Sequence, residues 1–152
     1  MPIEESRMSK LLSVQDLHVR MAQAEGAKAS AALKAREAAE AEKKAFIDHL
    51  LAPSGLTDEQ ASEKASIIIE RAMANGLTSV QVLRFPNHIC TDGGRAINQV
   101  EEGWENTLSG LPKEIYQYWK RKLRPLGYHI RYHIVDYPGG MPGDVAITLS
   151  WG

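Results

Sequence analysis

The stretch YHIRYHIVDYPGGMPGDVAITLSW, residues 128–151, decides the fold class of this chain. Its two ends, 128–136 and 144–151, alternate apolar and polar residues with the period of two that is typical of β-strands. The connection YPGGMPG, residues 137–143, contains three glycines and two prolines, which favour a turn. The pattern predicts a C-terminal antiparallel hairpin.

The two faces of this hairpin differ in chemistry. The apolar face, predicted to cover helices, consists of Tyr128, Ile130, Tyr132, Ile134, Val145, Ile147, Leu149 and Trp151. The opposite face carries His129, Arg131 and His133 beside small polar residues. One buried and one solvated face is common for an antiparallel sheet.

Upstream of the hairpin, helices predominate. Residues 57–60, TDEQ, match a capping box that begins a helix, and Asn75-Gly76 ends it. SVQVLRF, residues 79–85, is a predicted strand that ends before Pro86, and a further helix is predicted from Pro112 at its first position to Leu123. Helices packed on a short sheet that contains the hairpin predict an α+β domain over residues 53–152.

Residues 1–52 form a predicted N-terminal helical arm that is rich in Ala, Glu and Lys. Gly26 allows either one bent helix or two helices. A 4-3 apolar spacing is typical of a coiled-coil seam: Val14, Leu17, Met21, Ala24, Ala31, Ala35, Ala38 and Ala45. The same register contains Lys28, Glu42 and His49, so packing on another helix, within the chain or from a second copy, is the alternative to a long coiled coil.

Bulk composition excludes several classes of protein. The formal net charge of −1 gives no overall bias toward nucleic acid or membranes, and the one cysteine, Cys90, excludes an internal disulfide framework. No apolar run approaches a membrane span, and the N-terminus lacks the apolar core of a signal peptide. We expect a soluble, cytoplasmic protein without a cofactor and without membrane contact.

NHICTDGGRAIN, residues 87–98, is the densest cluster of reactive side chains. It lacks the phosphate-binding patterns GxxxxGK[ST] and GxGxxG. One interpretation is a tight turn capped by Asp92; the other is an anion or ligand site, since glycine-rich loops and helix N-termini expose amide groups. The residues of that site would be Asp92, Gly93, Gly94, Arg95, Gly139 and Gly140. If the two loops meet, Asp136 and Asp144 would join Asp92 and Arg95 in lining one cleft.

Cysteine and metal chemistry have weaker support. In an extended segment His88 would point to the same side as Cys90 and act as its base, but a small buried hydrophobe is the alternative. His129 and His133 would lie about 13 Å apart along a strand, too far for two ligands of one ion. No metal site is predicted.

Basic residues near the C-terminus form a predicted partner-binding surface: Lys120, Arg121, Arg124, His129, Arg131 and His133. A solvated face with no partner is the alternative. An acidic protein is one possible partner, and nucleic acid bound through residues 113–133 is another.

No catalytic or metal motif is complete, so the sequence favours a non-enzymatic interaction or regulatory protein. Its arm would self-associate to a homo-oligomer or dock to a protein partner. A small enzyme or anion-binding domain using the glycine-rich loops 92–95 and 137–143 is a second hypothesis, and nucleic-acid binding is a third.

Overall fold

The computed structural model describes residues 11–152; the first ten residues of the predicted arm lie outside the described part. It contains four α-helices and three strands. In chain order these are α1 (Val14–Leu51), α2 (Asp58–Ala74), β1 (Ser79–Phe85), α3 (Arg95–Asn98), α4 (Gly110–Tyr118), β2 (His129–Ile134) and β3 (Val145–Ser150). The predicted α+β class with a helical arm is confirmed.

Helix α1 runs through Gly26 without interruption. The strong helix formers around this position therefore outweigh the cost of about 1 kcal/mol that glycine imposes in a helix interior. The helix ends at Leu51, two residues before Pro53, as the sequence predicts. None of the helices between residues 11 and 152 combines the length and the apolarity that crossing a bilayer requires.

The predicted capping box begins α2. The Thr57 hydroxyl accepts the Gln60 backbone N–H at 3.2 Å, and the Gln60 side chain accepts the Thr57 N–H at 3.0 Å. The helix ends at Ala74 with Asn75 as its C-cap, and Gly76 follows with a left-handed φ of +73°. Ile69 and Ala72 are buried, so α2 contributes one narrow apolar face to the core.

Strand β3 lies at the centre of the sheet, in the order β1-β3-β2, and pairs antiparallel with both neighbours. The predicted hairpin is confirmed: Tyr132 lies opposite Ile147 across the β2–β3 pair. Because both outer strands run antiparallel to β3, β1 and β2 are parallel to each other. A bulge between Gln81 and Leu83 shifts the register of β1.

The predicted apolar face of the hairpin covers the helices. Val145, Ile147 and Leu149 are buried in core clusters that also contain side chains from α2, α4 and the residues that follow α4. The alternate residues of β2, from His129 to His133, therefore point to the other side of the sheet, where His129 and Arg131 are exposed but Ala146 of β3 is fully buried. The polar outer face follows from the period of two.

The helix predicted to begin at Pro112 begins two residues earlier, at Gly110. Pro112 is still in the first turn, where its missing N–H costs no helical hydrogen bond. After Tyr118 the chain forms a π-helical turn, Trp119–Leu123, and then a 3-10 turn, Arg124–Leu126. A sequence pattern of helical period does not separate these three types of turn.

The chain groups into two compact units, one ending at Ala45 and one comprising Phe46–Gly152. Leu50, which the sequence assigns to the arm, is fully buried in the core of the second unit with Phe85 and Val145. The predicted division between residues 52 and 53 stays a prediction. The last turn of α1 nevertheless supplies core side chains to the second unit.

Candidate functional site

The predicted anion loop is a turn that Asp92 closes. The Asp92 carboxylate accepts the backbone N–H groups of Gly94 and Ala96, both at 2.9 Å. Gly93 and Gly94 have φ values of +70° and +85°, the left-handed region that favours glycine. An incoming anion would have to displace this carboxylate to reach the two amides.

Arg95 does not complete the loop as an anion site. Its guanidinium lies 3.7 Å from the Glu101 carboxylate, and its side chain is two-thirds exposed. An exposed pair of this kind contributes little to stability. The predicted role of Asp92-Gly93-Gly94-Arg95 in ligand binding stays a prediction.

The second glycine-rich loop is also closed by an aspartate. The Asp136 carboxylate accepts the Asp144 N–H at 2.7 Å, and its backbone carbonyl accepts the Gly143 N–H at 2.9 Å. Gly139 and Gly140 have φ values of +62° and +80° within this turn. The hydrogen bonds hold residues 137–143 in the turn that their glycines and prolines predict.

The two loops lie close together, and Asn87 connects them. Its side-chain amide donates to the Pro142 carbonyl at 2.7 Å, while its Cβ lies 3.2 Å from the position that a Cβ at Gly94 would take. Tyr137 donates to the Asn98 side chain at 2.9 Å, a second bridge between the same segments. The sequence analysis did not identify Asn87 as a functional or structural residue. The only local feature that could have pointed to it is its position directly after Pro86.

Arg84 on β1 balances the acidic residues of this region. Its guanidinium donates to Asp144 at 2.9 Å and to Asp136 at 3.2 Å. All three side chains are about half exposed, so the cluster is solvent-screened and adds modest stability. Asp136 and Asp144, which the sequence suggested as the lining of a cleft, are therefore paired with Arg84. The sequence analysis did not identify Arg84 as their partner.

The structure separates the predicted partner-binding residues into two groups. Lys120, Arg121 and Arg124 follow α4, on the helix-covered side of the sheet, whereas His129, Arg131 and His133 lie on the outer face of β2. Arg121 donates to Asp58 at 3.0 Å, and the Arg124 guanidinium lies 5.8 Å from the centre of the Trp119 ring. The predicted partner-binding role of these six residues stays a prediction.

His133 makes the outer face less cationic than the sequence suggests. Its Nδ1 atom is buried and finds no hydrogen-bond partner among the described residues. Burial lowers the pKa of this imidazole, and the neighbouring Arg131 lowers it further. The histidine is therefore neutral at pH 7, and the charge at this end of the face comes from Arg131.

Cys90 is a core residue. It is 3% exposed and packs in the cluster that contains Phe85 and Tyr132. Residues 87–89 form a 3-10 turn rather than an extended segment, so His88 is exposed while Cys90 is buried. The expectation that both side chains point to the same side is wrong for that reason. Burial, and then the charge of Asp92, raises the pKa of the thiol to about 11.

This pKa makes a prediction for thiol labelling. At pH 8 we expect native Cys90 to react with an aromatic disulfide reagent about 100-fold more slowly than in the unfolded chain, because little thiolate is present and access is blocked. The absorbance of the released thiol measures the rate, and the same protein in denaturant is the control. Fast labelling of the native chain would contradict the burial of this thiol.

Among residues 11–152, no three His, Cys, Asp or Glu side chains come together in a way that would hold a metal ion. The chain matches no protein-family model, no curated protein and no solved structure.

The arm carries large apolar side chains that are exposed. Every residue from Leu11 to Ala45 is exposed. Val14, Leu17 and Met21, the large residues of the predicted seam, expose 68%, 45% and 60% of their surface. We call the seam residues between Val14 and Ala45 the arm stripe. Val19 and Leu33 are exposed on the opposite side of the helix, away from this stripe.

Proposed function

We propose that this protein is a non-enzymatic interaction protein that self-associates through α1, with the arm stripes of two copies packed together. The observation that carries the proposal is the exposure of Val14, Leu17 and Met21 on a helix of 38 residues. Solvent-exposed helices gain most of their stability from packing an apolar face against another element. A second copy supplies such an element.

The composition of the arm stripe favours an antiparallel pair. Its N-terminal half contains large side chains, of which Met21 is the last, whereas its C-terminal half consists mostly of alanines such as Ala38 and Ala45. An antiparallel arrangement places large side chains of one copy against alanines of the other, and this alternation of large and small residues gives close packing. A parallel arrangement leaves two alanine halves facing each other, which bury little area.

The charges within the arm stripe favour the same orientation. Lys28 and Glu42 each lie seven residues from Ala35, on opposite sides of it. Two antiparallel helices that place Met21 opposite Ala45 put Lys28 of one copy opposite Ala38 of the other, about one helical turn from Glu42. The same contact occurs twice by symmetry. A parallel pair in register brings Lys28 to Lys28 and Glu42 to Glu42, which is repulsive.

Charge exchange between these positions tests both the association and its orientation. We expect Lys28→Glu and Glu42→Lys each to weaken the dimer about 30-fold, because two attractions of about 0.5 kcal/mol become two repulsions of the same size. The double variant restores both attractions and should return to the parent Kd. Sedimentation velocity over a concentration series measures all four proteins.

Arg36→Glu is a matched control, since Arg36 is exposed, lies outside the arm stripe and pairs with Glu40 on its own helix. It should change the Kd little. The proposal fails if both single variants and the double variant have the Kd of the parent. In that case the two helices pair in parallel, or the arm stripe is not the interface.

A further inference from the structure

A cavity of about 310 Å³ lies in the second unit between α2, α4 and the inner face of the sheet. Its walls include Ala65 and Ile68 from α2, Ile115 from α4, Trp119 from the π-helical turn, and Val82 and Leu149 from the sheet. Ligand pockets in proteins usually measure about 300–1,000 Å³ and are lined mostly by apolar side chains. The cavity therefore has the size and chemistry of a site for a small apolar molecule.

The cavity coincides with a division in the core. One buried cluster centres on Phe85, Tyr132 and Ile147, and the other on Ile69, Leu123 and Leu149. The cavity walls come from both clusters, and side chains such as Ile68 and Ile115 remain only half-buried there. Apolar side chains beside unfilled space lose dispersion contacts that a filled core provides. A bound apolar group would supply those contacts and join the two clusters.

A rare backbone feature borders the same space. The π-helical turn Trp119–Leu123 has its first and last residues in the cavity wall. Such turns are uncommon and occur frequently at functional sites. The Trp119 indole N–H donates to the Tyr128 carbonyl at 3.0 Å, so its polar atom is satisfied outside the cavity and the ring adds apolar surface to the wall.

The polar groups of the wall indicate the charge of the ligand. The Tyr118 hydroxyl is hydrogen-bonded to the Ser62 hydroxyl at 2.7 Å. The cationic or protonatable residues of the wall are Lys64 and His49, both exposed, and no acidic residue is among the described residues that line it. Lys64 forms no ion pair with any residue between 11 and 152. The Glu114 carboxylate accepts the N–H of the wall residue Ser54 at 3.2 Å, so the positive charge that an anionic group would meet comes from Lys64.

From these observations we propose that the cavity binds a small monocarboxylic acid with an apolar chain, the chain inside and the carboxylate at Lys64. Decanoic acid is the probe, and decanol is its uncharged counterpart. We expect saturable binding of decanoate by isothermal calorimetry, with a Kd that rises about fivefold in Lys64→Gln, the effect of one partly exposed charge-assisted contact. Decanol should bind the parent and Lys64→Gln equally.

Lys113→Gln is the matched control, because Lys113 is an exposed lysine of α4 that does not line the cavity. It should leave the decanoate Kd unchanged. Equal weakening in both lysine variants would mean that overall charge, not Lys64, attracts the acid, and would overturn the assignment of the carboxylate.

Two further variants locate the chain of the ligand. Ala65→Leu fills part of the cavity and should raise the Kd for decanoate at least about tenfold. The new leucine side chain would occupy space that the chain of the ligand needs. A brominated decanoic acid should quench Trp119 fluorescence by contact, and Trp119→Phe should remove most of this quench while Trp104 and Trp151 remain. No saturable binding, or quenching that persists in Trp119→Phe, would overturn the proposal, and this readout holds even if Ala65→Leu fails to fold.

Discussion

Replacing Gly110 with alanine is expected to lower the free energy of unfolding by about 3 kcal/mol or more, the sum of a strained backbone and a steric overlap. Gly110 has a φ of +58°, and a Cβ built there would overlap the Leu50 carbonyl oxygen. The next atoms in its way are the Leu50 carbonyl carbon and the Leu51 Cα, each 3.0 Å away. These are backbone atoms of the last turn of α1, so no side-chain rotation relieves the overlap.

Gly76→Ala separates the two contributions. Gly76 has a similar φ of +73°, and no atom lies within 4 Å of its built Cβ. This variant should therefore lose only the left-handed strain of about 1–2 kcal/mol. Denaturant unfolding followed by tryptophan fluorescence, at one protein concentration, measures both variants. Equal losses in the two would contradict the close approach of Gly110 to the end of α1.

The elements with strong local signals could be predicted from the sequence. The strand 79–85 matches β1 residue for residue, and the capping box at Thr57 begins α2 as expected. The polar outer face of β2 also follows directly from the alternation in residues 128–136. In each case a period or a short-range hydrogen bond carries the information, so no knowledge of distant residues is needed.

Features that depend on distant contacts could not be predicted. The position of β3 between β1 and β2, and the pairing of Arg84 with two aspartates from β2–β3, follow from sheet order. The requirement for glycine at position 110 depends on Leu50, which lies 60 residues earlier in the chain. Local patterns contain no signal for such contacts, because they arise only when the elements pack.

For the same reason, the sequence predicted the local turn at Asp92 but not the cavity in the core. Asp92 was expected either to cap a turn or to line an anion site, and its two hydrogen bonds to backbone amides place it as a cap. The cavity beside Trp119 was not predicted, since its lining residues have the spacing of ordinary core positions. Only the packing of α2 and α4 leaves space between them.

Met21→Glu is expected to reduce self-association by more than about 100-fold, because it places a carboxylate among the few large apolar contacts of a small interface. Met21 is 60% exposed on the arm stripe. Val19→Glu is the matched control: Val19 is 50% exposed on the same helix but lies on the opposite side. It introduces the same charge into the same turn and should leave the Kd nearly unchanged.

Circular dichroism over the same concentration series accompanies this comparison, so that a loss of helix is distinguished from a loss of association. We expect Met21→Glu to lose helical signal on dilution earlier than Val19→Glu, since α1 depends on its partner for stability. Equal effects of the two substitutions on association would mean that the arm stripe is not the interface.

Sedimentation equilibrium of the unmodified chain, from about 1 to 200 µM, tests self-association most directly. The weight-average mass rises with protein concentration to an extent that the Kd of the dimer determines. The chain has a mass of 16.8 kDa. We predict a weight-average mass that rises with concentration toward twice that value and that fits a single monomer–dimer equilibrium. A mass that stays at that of one chain over the whole range would contradict the proposal that α1 pairs with a second copy.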